Sequence, residues 1–269
     1  MARFFVDELP AAGSQYTLSG ENAEHARVLR LRPGEAVTLC DGRGTDCPCT
    51  VTEGLSLRAG APVPCPAEPR ARVSVRIAFP KADKAEHVIQ KAVELGAAEL
   101  VLFPSRYCVS RPEGKALEKK LERWQKIARA AAEQSGRGVI PPVRAVDSYD
   151  RAIREAAEAA LPILCYENEA GYSLRDALAE FRHSARSEES VPSRRDADCP
   201  PPAVFGPQSC AVPATISLTT GAEGGFSGEE IDRARAAGMK ICTLGPRILR
   251  CETAPLAALS ALLYALGEL

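Results

Sequence analysis

The sequence predicts an α/β protein with a mainly parallel sheet, preceded by a small β-rich domain. From Val73 onward, short β-branched runs alternate with longer segments of helical periodicity. Residues 1–70 instead carry short strand-like runs around the turn sequence Asp41-Gly42-Arg43-Gly44. Four prolines between residues 62 and 69 predict a stiff linker, because proline cannot donate to a sheet. We therefore predict two domains, residues 1–70 and 73–269.

The first domain contains one helical pattern and two clear strands. The helix is predicted over residues 19–31, and the strands at 36–40 and 49–52. In the second domain, strands are predicted at 73–79, 100–103, 162–166, 215–219 and 240–244. Helices are predicted at 84–95, 115–134, 173–182, 229–237 and 254–266. Trp124 falls on the apolar face of the longest helix and is predicted to be buried.

One segment of the second domain lacks this periodicity. Residues 183–213 are rich in Ser, Pro and charged side chains and contain almost no apolar pattern. Such a composition cannot bury enough apolar surface to repay the loss of chain entropy. We predict a mobile insertion there.

Composition excludes several classes of protein. The chain has 269 residues, of which 45% are hydrophobic and 26% charged, which is typical of a globular protein. The longest apolar stretch, residues 254–266, is shorter than the roughly 18 residues that span a bilayer. Asp7 and Glu8 stand where a secretory signal would be apolar. Ten scattered cysteines without metal-ligand spacing predict reduced thiols in the cytoplasm and no metal site.

Charge is distributed unevenly along the chain. Residues 73–145 carry 14 basic and 8 acidic side chains, whereas residues 1–72 carry 8 and 9, and residues 146–269 carry 12 and 18. A basic middle third fits either a solvated helical surface or a face that binds a polyanion. Charge alone does not decide between them.

Two glycine-containing loops follow successive predicted strands. The first runs from Thr219 to Ser227, where Ser227 and Glu230 form the pattern of a helix capping box. The second runs from Leu244 to Thr253, which is placed to cap the last helix. Because the carboxyl ends of parallel strands meet at one edge of a sheet, both loops are expected to open onto the same site. The alternative is that the first loop is only a turn that needs positive φ.

These loops do not match common nucleotide or hydrolase motifs. They lack the phosphate-binding G-x-x-x-x-G-K-[ST] pattern and the G-x-S-x-G nucleophile elbow. The first strand of the second domain is followed by Pro80-Lys81-Ala82-Asp83 and not by the G-x-G-x-x-G of a dinucleotide site.

Four ordered motifs resemble a known family. They are T-G-A-E-G-G-F-S from Thr220, L-G-P-R-I-L-R-C-E-T-A from Leu244, Q-K-A-V-E-L-G from Gln90 and E-Q-S-G-R from Glu133. Together they resemble the successive signatures of the bacterial 16S ribosomal RNA (uracil-N3) methyltransferases of the SPOUT superfamily. Arg3-Phe4-Phe5 and the sequence from His25 to Arg30 are similar to the family's small PUA-like RNA-binding barrel. Ala222 departs from the family, which usually has a stiffer proline at this position.

The resemblance implies a fold and an activity. It implies a SPOUT domain with a deep trefoil knot, a homodimer, and methylation of uracil N3 in the 16S rRNA of the small ribosomal subunit by S-adenosylmethionine. One alternative is an RNA-binding relative that has lost donor affinity, which the intact second loop disfavours. Another is a small-molecule enzyme that binds an anion at a helix N-terminus, which the basic middle third and the added N-terminal domain disfavour.

The resemblance also assigns site residues. The donor is expected to contact both loops, mostly through the backbone: Leu218, Thr219, Gly221, Glu223, Gly224, Gly225, Leu244, Gly245, Pro246, Ile248, Leu249 and Thr253. RNA phosphates are expected to contact seven arginines: Arg3, Arg27, Arg30, Arg32, Arg106, Arg111 and Arg137. The alternative for each of them taken singly is a solvated surface arginine.

Arg250 and Glu252 are the candidate catalytic residues. Uracil N3 must lose a proton, and no histidine lies near either loop to accept it. Arg250 is placed to stabilise the uracil anion, and Glu252 to position Arg250 or accept the proton. The alternative is that the two only form a structural salt bridge. Glu223 is a second acidic candidate, whose alternative role is to stabilise its loop.

Overall fold

The computed structural model describes residues 2–188 and 215–269, which form two units. The first unit combines Met1–Glu68 with Glu122–Pro142, and the second combines Pro69–Leu121 with Val143–Leu269. Residues 122–142, which the sequence assigns to the second domain, thus pack with the first unit. No helix among the described residues is long and apolar enough to cross a membrane.

The first unit is built on a six-stranded sheet and one short helix. Its elements are β1 (Ala2–Phe5), β2 (Gln15–Thr17), α1 (Gly20–Leu29), β3 (Ala36–Cys40), β4 (Thr45–Val51), β5 (Ser56–Ala59) and β6 (Val63–Pro64). The strand order is β1-β3-β4-β5-β2, with β6 paired to β4. Phe4, Leu39 and Leu57 are fully buried at its centre, where Ala23 and Ala26 of α1 pack against them. Burial of these apolar side chains holds the unit together.

Two prolines of the first unit, Pro48 and Pro64, lie within strands, although the sequence predicts a linker around Pro64. Pro48 lies inside β4, where its carbonyl accepts a hydrogen bond from the Gly60 N–H at 2.7 Å. The predicted linker is partly structured, since Val63–Pro64 pairs with β4 and the Cys65 N–H donates to the Gly44 carbonyl. Both prolines are tolerated because a strand position needs an N–H only where the ladder uses it.

The second unit contains six parallel strands. They are β7 (Arg72–Ala78), β8 (Glu99–Phe103), β9 (Val143–Ala145), β10 (Leu161–Cys165), β11 (Thr215–Thr220) and β12 (Lys240–Cys242). Their order is β12-β10-β11-β7-β8-β9, and every neighbouring pair is parallel. Ile77, Leu102, Leu164 and Leu218 are buried to within 2% exposure, as expected for strands covered on both faces. The predicted α/β class with a mainly parallel sheet is confirmed.

Helices connect these strands. They are α2 (Ala82–Leu95), α4 (Tyr149–Ala157), α5 (Leu174–Glu188), α6 (Gly228–Ala236) and α7 (Ala254–Leu266), while α3 (Gly114–Ser135) includes residues of both units. Trp124 of α3 is buried, as predicted. The short helix α4 and strand β9 are not predicted from the sequence, although Ser148 caps α4 by accepting a hydrogen bond from the Arg151 N–H.

The structure differs from the sequence predictions at the end of α5 and at the start of α7. Helix α5 continues through Glu188, so the start of the predicted insertion at 183–213 is helical, and the rest of it lies outside the described residues. Thr253 occupies the N-cap position of α7, but its side chain makes no capping hydrogen bond. In contrast, the Ser227–Glu230 capping box of α6 has both reciprocal bonds.

Candidate functional site

Loops at the carboxyl ends of β10, β11 and β12 surround one cavity in the second unit. Its volume is about 330 Å³, which lies within the range of small-molecule sites. The two glycine loops supply most of its wall, and Tyr166 and Glu167 after β10 supply another side. Lys84, near the start of α2, completes it. The structure thus brings the two glycine loops together at one edge of the sheet.

The first glycine loop is a tight turn whose glycines allow close backbone packing. The Gly225 N–H donates to the Ala222 carbonyl at 3.0 Å. A Cβ on Gly221 would lie 2.9 Å from the Gly225 Cα, so the two backbones leave no room for a side chain. Gly225 has φ of +63°, and a Cβ there would overlap the Glu167 carboxylate. At Gly221 and Gly225 the loop therefore has no room for a side chain beside the cavity.

The second glycine loop leaves open space at its first turn. Gly245 has φ of +109°, and a Cβ on it would meet no atom within 4 Å. Its N–H donates to Thr243 Oγ1 at 3.2 Å. Further along, the Arg250 carbonyl accepts hydrogen bonds from the Thr253 and Ala254 N–H groups, both at 2.9 Å, which leads the chain into α7.

Buried hydroxyl groups at the end of β11 remain without partners. Thr219 is 0% and Thr220 1% exposed, and neither Oγ1 has a hydrogen-bond partner among the described residues. Thr220 lines the cavity. A buried hydroxyl without a partner costs free energy, so a polar ligand that bonded to it would recover that cost.

Lys84 connects the two glycine loops electrostatically. Its Nζ lies 3.1 Å from Glu252 Oε2 and 3.4 Å from Glu223 Oε1. The same Nζ is 3.6 Å from Cys251 Sγ, and the backbone N–H of Lys81 donates to Glu223 at 3.2 Å. One ammonium therefore fixes a carboxylate from each loop against the start of α2. We call Lys84, Glu223 and Glu252 the lysine cluster.

The lysine cluster keeps its groups charged. The backbone N–H of Glu252, the Cys251 thiol and Lys84 together lower the pKa of the Glu252 carboxyl to about 2. Burial alone would raise the pKa of Glu223, but hydrogen bonds from its own backbone, from Lys81 and from Lys84 lower it. The hydrogen bond to Glu252 raises the pKa of Lys84. Burial raises the pKa of the Cys251 thiol to about 11, so this thiol stays neutral.

The structure separates the predicted donor residues into two groups. Those that line the cavity are Gly221, Glu223, Gly225, Leu244, Gly245, Ile248 and Leu249. The others are outside its lining: Leu218, Thr219, Gly224, Pro246 and Thr253. Leu218 is fully buried in the sheet, and the Gly224 backbone packs against Tyr107. The sequence missed Lys84, Glu167, Thr220 and Arg247 as lining residues.

The two predicted catalytic residues differ in their surroundings. Arg250 lines the cavity, is exposed, and makes no ion pair among the described residues. Glu252 pairs with Lys84 and not with Arg250, so the alternative of an Arg250–Glu252 salt bridge is not what the structure contains. Lys84 could have been noticed as a charged residue just after the first strand of its domain, but only the pairing of β7 with β11 places it beside the glycine loop.

The predicted RNA-binding arginines also differ in exposure. Arg27, Arg30 and Arg32 are exposed at the end of α1. Arg3 is paired with Asp46 at 2.6 Å, and Arg137 with Glu68 at 2.7 Å, with side chains only 11% and 4% exposed. These two pairs lie inside the first unit and favour a structural role for Arg3 and Arg137.

The remaining two predicted RNA-binding arginines belong to the second unit. Arg106 and Arg111 are exposed in the loop after β8. Arg106 pairs with Glu229 at 2.7 Å, and the Arg111 guanidinium donates to two backbone carbonyls. Their exposure keeps both of them available to a phosphate.

Comparison with known proteins identifies the family. Residues 67–191 and 203–263 match the RNA methyltransferase domain family, and residues 18–55 match the RNA methyltransferase PUA domain family. The ribosomal RNA small subunit methyltransferase E of Bacillus subtilis (strain 168) is 30% identical over 98% of this chain and 96% of its own length. The chain belongs to the ribosomal RNA small subunit methyltransferase E family. The resemblance inferred from the four motifs is confirmed.

One further relative and two solved structures are also similar to this chain over nearly its whole length. The ribosomal RNA small subunit methyltransferase E of Mycobacterium bovis is 31% identical over 96% of this chain and 89% of its own length. A crystal structure of methyltransferase E from Neisseria gonorrhoeae bound to S-adenosyl methionine has a TM-score of 0.73 and 28% identity, covering 98% of this chain and 97% of that one. A methyltransferase structure from Legionella pneumophila in complex with SAM has a TM-score of 0.75, 27% identity and the same coverage.

Proposed function

We propose that this protein methylates N3 of a uracil in the 16S rRNA of the small ribosomal subunit, with S-adenosylmethionine as the donor. The observation that carries the proposal is the cavity between the two glycine loops, in a chain whose family includes a donor-bound structure. Exposed Arg250 at its wall supplies a cation where negative charge would develop on uracil. Membership of the methyltransferase E family supplies the substrate class.

The cavity fits the proposed donor in three respects. The two glycine loops supply most of its wall, and their backbone N–H and C=O groups suit an adenine and a ribose. Gly245 leaves space beside the backbone, and Thr220 Oγ1 offers an unpaired hydroxyl. Ala222 is buried and its carbonyl closes the turn, so the loop holds its shape without the family's proline. These features support a donor-binding protein over the alternative of a relative that has lost donor affinity.

We propose that the protein accelerates methyl transfer in two ways, by aligning the donor with uracil N3 and by stabilising negative charge on the uracil. When bound, S-adenosylmethionine supplies an electrophilic methyl group on a sulfonium. The glycine loops hold the reacting atoms in line, and Arg250 stabilises the uracil anion that forms when N3 loses its proton. Glu252 is a poor proton acceptor because its pKa is about 2. We therefore assign Glu252 the role of anchoring Lys84, and the N3 proton is lost to solvent.

The decisive experiment is single-turnover transfer of labelled methyl to small subunits that lack this modification, followed by nucleoside analysis. The label is expected on N3 of a uracil. Label on ribose or on cytosine would contradict the assigned chemistry. Absence of both transfer and donor binding, with intact subunit binding, would favour an RNA-binding relative that has lost donor affinity.

Arg250→Ala is expected to slow single-turnover transfer by about tenfold, less than the roughly hundredfold lost with a buried charge-stabilising donor, because Arg250 is exposed. Donor affinity and subunit affinity should remain near wild type. Arg233→Ala is the matched control, since Arg233 pairs with Asp150 away from the cavity. A wild-type rate in Arg250→Ala would remove Arg250 from the mechanism.

The single-turnover rate is expected to rise about tenfold per pH unit from pH 6 to pH 8, because the fraction of ionised uracil limits the reaction. Glu252, with a pKa of about 2, and Glu223, with a lowered pKa, are already ionised over this range, and Lys84 keeps its proton. Donor affinity measured by calorimetry should stay constant between the same pH values. A bell-shaped profile centred near neutral pH would reveal a protein base that we have not assigned.

We propose that RNA contacts the exposed arginines Arg27, Arg30 and Arg32 in the first unit and Arg106 and Arg111 in the second. Replacing both Arg27 and Arg30 by Ala should weaken subunit binding about tenfold at low salt and reduce its salt dependence, because two phosphate contacts are lost. Donor affinity should not change. Binding measured at several salt concentrations tests this, and an unchanged salt slope would exclude both arginines.

We also propose the arrangement that the family resemblance implies. It comprises a PUA-like domain at 1–70, a SPOUT domain at 73–269 with a trefoil knot, and a homodimer that acts in the cytoplasm. The apolar helix α7 offers little surface to a dimer through its leucines, since Leu259, Leu262 and Leu263 are buried within this chain. Exposed Tyr264 and Ile248, 75% and 84% accessible, offer the apolar surface instead. Light scattering tests the dimer.

A further inference from the structure

Tyr107 is an exposed aromatic side chain that packs directly beside the first glycine loop. It lies in the loop after β8 and is 48% exposed. A Cβ on Gly224 would come within 2.5 Å of the Tyr107 Cβ and 3.4 Å of its Cγ. Glu223, the next residue along, lines the cavity. The ring is thus held one residue away from the proposed donor site.

The backbone around Tyr107 is firmly held. The Arg106 N–H donates to Glu230 Oε1 at 2.8 Å, and the other oxygen of that buried carboxylate accepts from the Ser227 N–H at 2.9 Å. Ser105 is buried, and its N–H and hydroxyl both contact Cys108 Sγ. The glycine loop and the Tyr107 loop therefore share one carboxylate, Glu230. A ring on a fixed backbone loses little entropy when a ligand stacks on it.

The surroundings of Tyr107 are cationic and apolar. The Arg111 guanidinium donates to the carbonyls of Ser105 and Arg106, so its positive charge is held against the backbone of the loop that carries Tyr107. Val109, 74% exposed, adds apolar surface. Among the described residues nothing hydrogen-bonds the Tyr107 hydroxyl, so no internal hydrogen bond fixes the end of this side chain. An exposed aromatic with nearby arginine is the usual platform for an unstacked RNA base.

We propose that Tyr107 is the stacking platform for a base of the RNA substrate at the mouth of the cavity. The proposal rests on the function proposed above. The ring face binds a base of the RNA and Arg111 attracts the adjoining phosphate, while the glycine loop determines how far the base lies from the donor. Tyr107 thereby acts on acceptor binding and not on donor binding.

The test compares Tyr107→Ala with Tyr107→Phe in the full-length protein. Three quantities are measured for each: affinity for unmodified small subunits, affinity for S-adenosylmethionine by calorimetry, and mass in solution. Tyr107→Ala is expected to weaken subunit binding about tenfold or more, the scale of one lost base stack, and to raise KM more than it lowers kcat. Tyr107→Phe keeps the ring and should recover most of that loss. Donor affinity and mass should match wild type in both variants.

Four other results for the Tyr107 variants would overturn the proposal. Wild-type subunit affinity in Tyr107→Ala would show that no base stacks there, and equal losses in both variants would assign the effect to the hydroxyl. Loss of donor affinity would make Tyr107 a support for the glycine loop, and a lower mass would make it a contact between subunits. If wild type binds subunits without methylating them, the proposed reaction fails but the binding comparison still decides this inference. If wild type does not bind subunits, both fail.

Discussion

Gly225→Val is expected to eliminate measurable binding of S-adenosylmethionine and, with it, methyl transfer. Gly225 has φ of +63°, which a β-branched residue adopts only with strain, and a side chain there would overlap the Glu167 carboxylate at the cavity wall. Either the loop shifts or Glu167 moves into the space that the ligand needs. Calorimetric titration of the purified variant with S-adenosylmethionine checks this.

Gly238→Val provides the matched control for backbone strain. Gly238 also has positive φ, at +89°, but a Cβ there would meet no atom within 4 Å, and it is not part of the cavity. Both variants should lose on the order of 1–3 kcal/mol of stability from strain alone. Only Gly225→Val should lose its affinity for S-adenosylmethionine. Equal donor affinity in the two folded variants would show that the first glycine loop is merely a turn.

Lys84→Met is expected to reduce kcat/KM by about a hundredfold, the scale associated with a displacement of about 1 Å in a positioned site. Methionine fills a similar volume but leaves Glu223 and Glu252 facing each other without a cation. Their repulsion separates the two glycine loops and raises the pKa of both carboxyls. Because Lys84 holds the loops, donor affinity should fall together with the rate.

Lys91→Met is the matched control for Lys84→Met. Lys91 lies on the same helix and pairs with Glu94 at 2.9 Å, but this is a surface pair outside the cavity. Such pairs contribute little, so Lys91→Met should behave as wild type. Adding Glu252→Gln to Lys84→Met should restore part of the donor affinity by removing the repulsion. If Lys84→Met binds donor as tightly as wild type, the lysine cluster does not shape the site.

Periodicity predicted the strands and helices of the second unit well, because most of them are long or strongly apolar. Helix 254–266 was located at its observed limits, and the glycine loops were recognised from their place between strand and helix. Short elements were missed: β9 has three residues and α4 nine, too few for a clear period. The prolines from residue 62 suggested a linker because sequence does not reveal which strand positions need an N–H.

Site residues were harder to predict than elements, because contacts depend on the order of strands in the sheet. Glycine loops can be recognised directly in the sequence. Lys84, in contrast, lies beside the first glycine loop only because β7 pairs with β11 in the sheet. Arg3 and Arg137 looked like RNA contacts because a charge count does not distinguish a solvated arginine from a buried ion pair. Glu252 was paired in sequence with Arg250, two residues away, while its nearest cation in space is Lys84.

The position of β11 between β7 and β10 has a consequence for folding during synthesis. Thr215 pairs with Arg72, more than half the chain away, so the sheet lacks its central strand until Thr215–Thr220 have left the ribosome. Until then β7 and β10 keep unpaired edges that can associate with other chains. The second glycine loop follows β12 and is synthesised later still, and a nascent chain cannot bind the donor before its sheet is complete. Excess donor should therefore stabilise only full-length protein, leaving chains truncated before residue 215 as the species that aggregates.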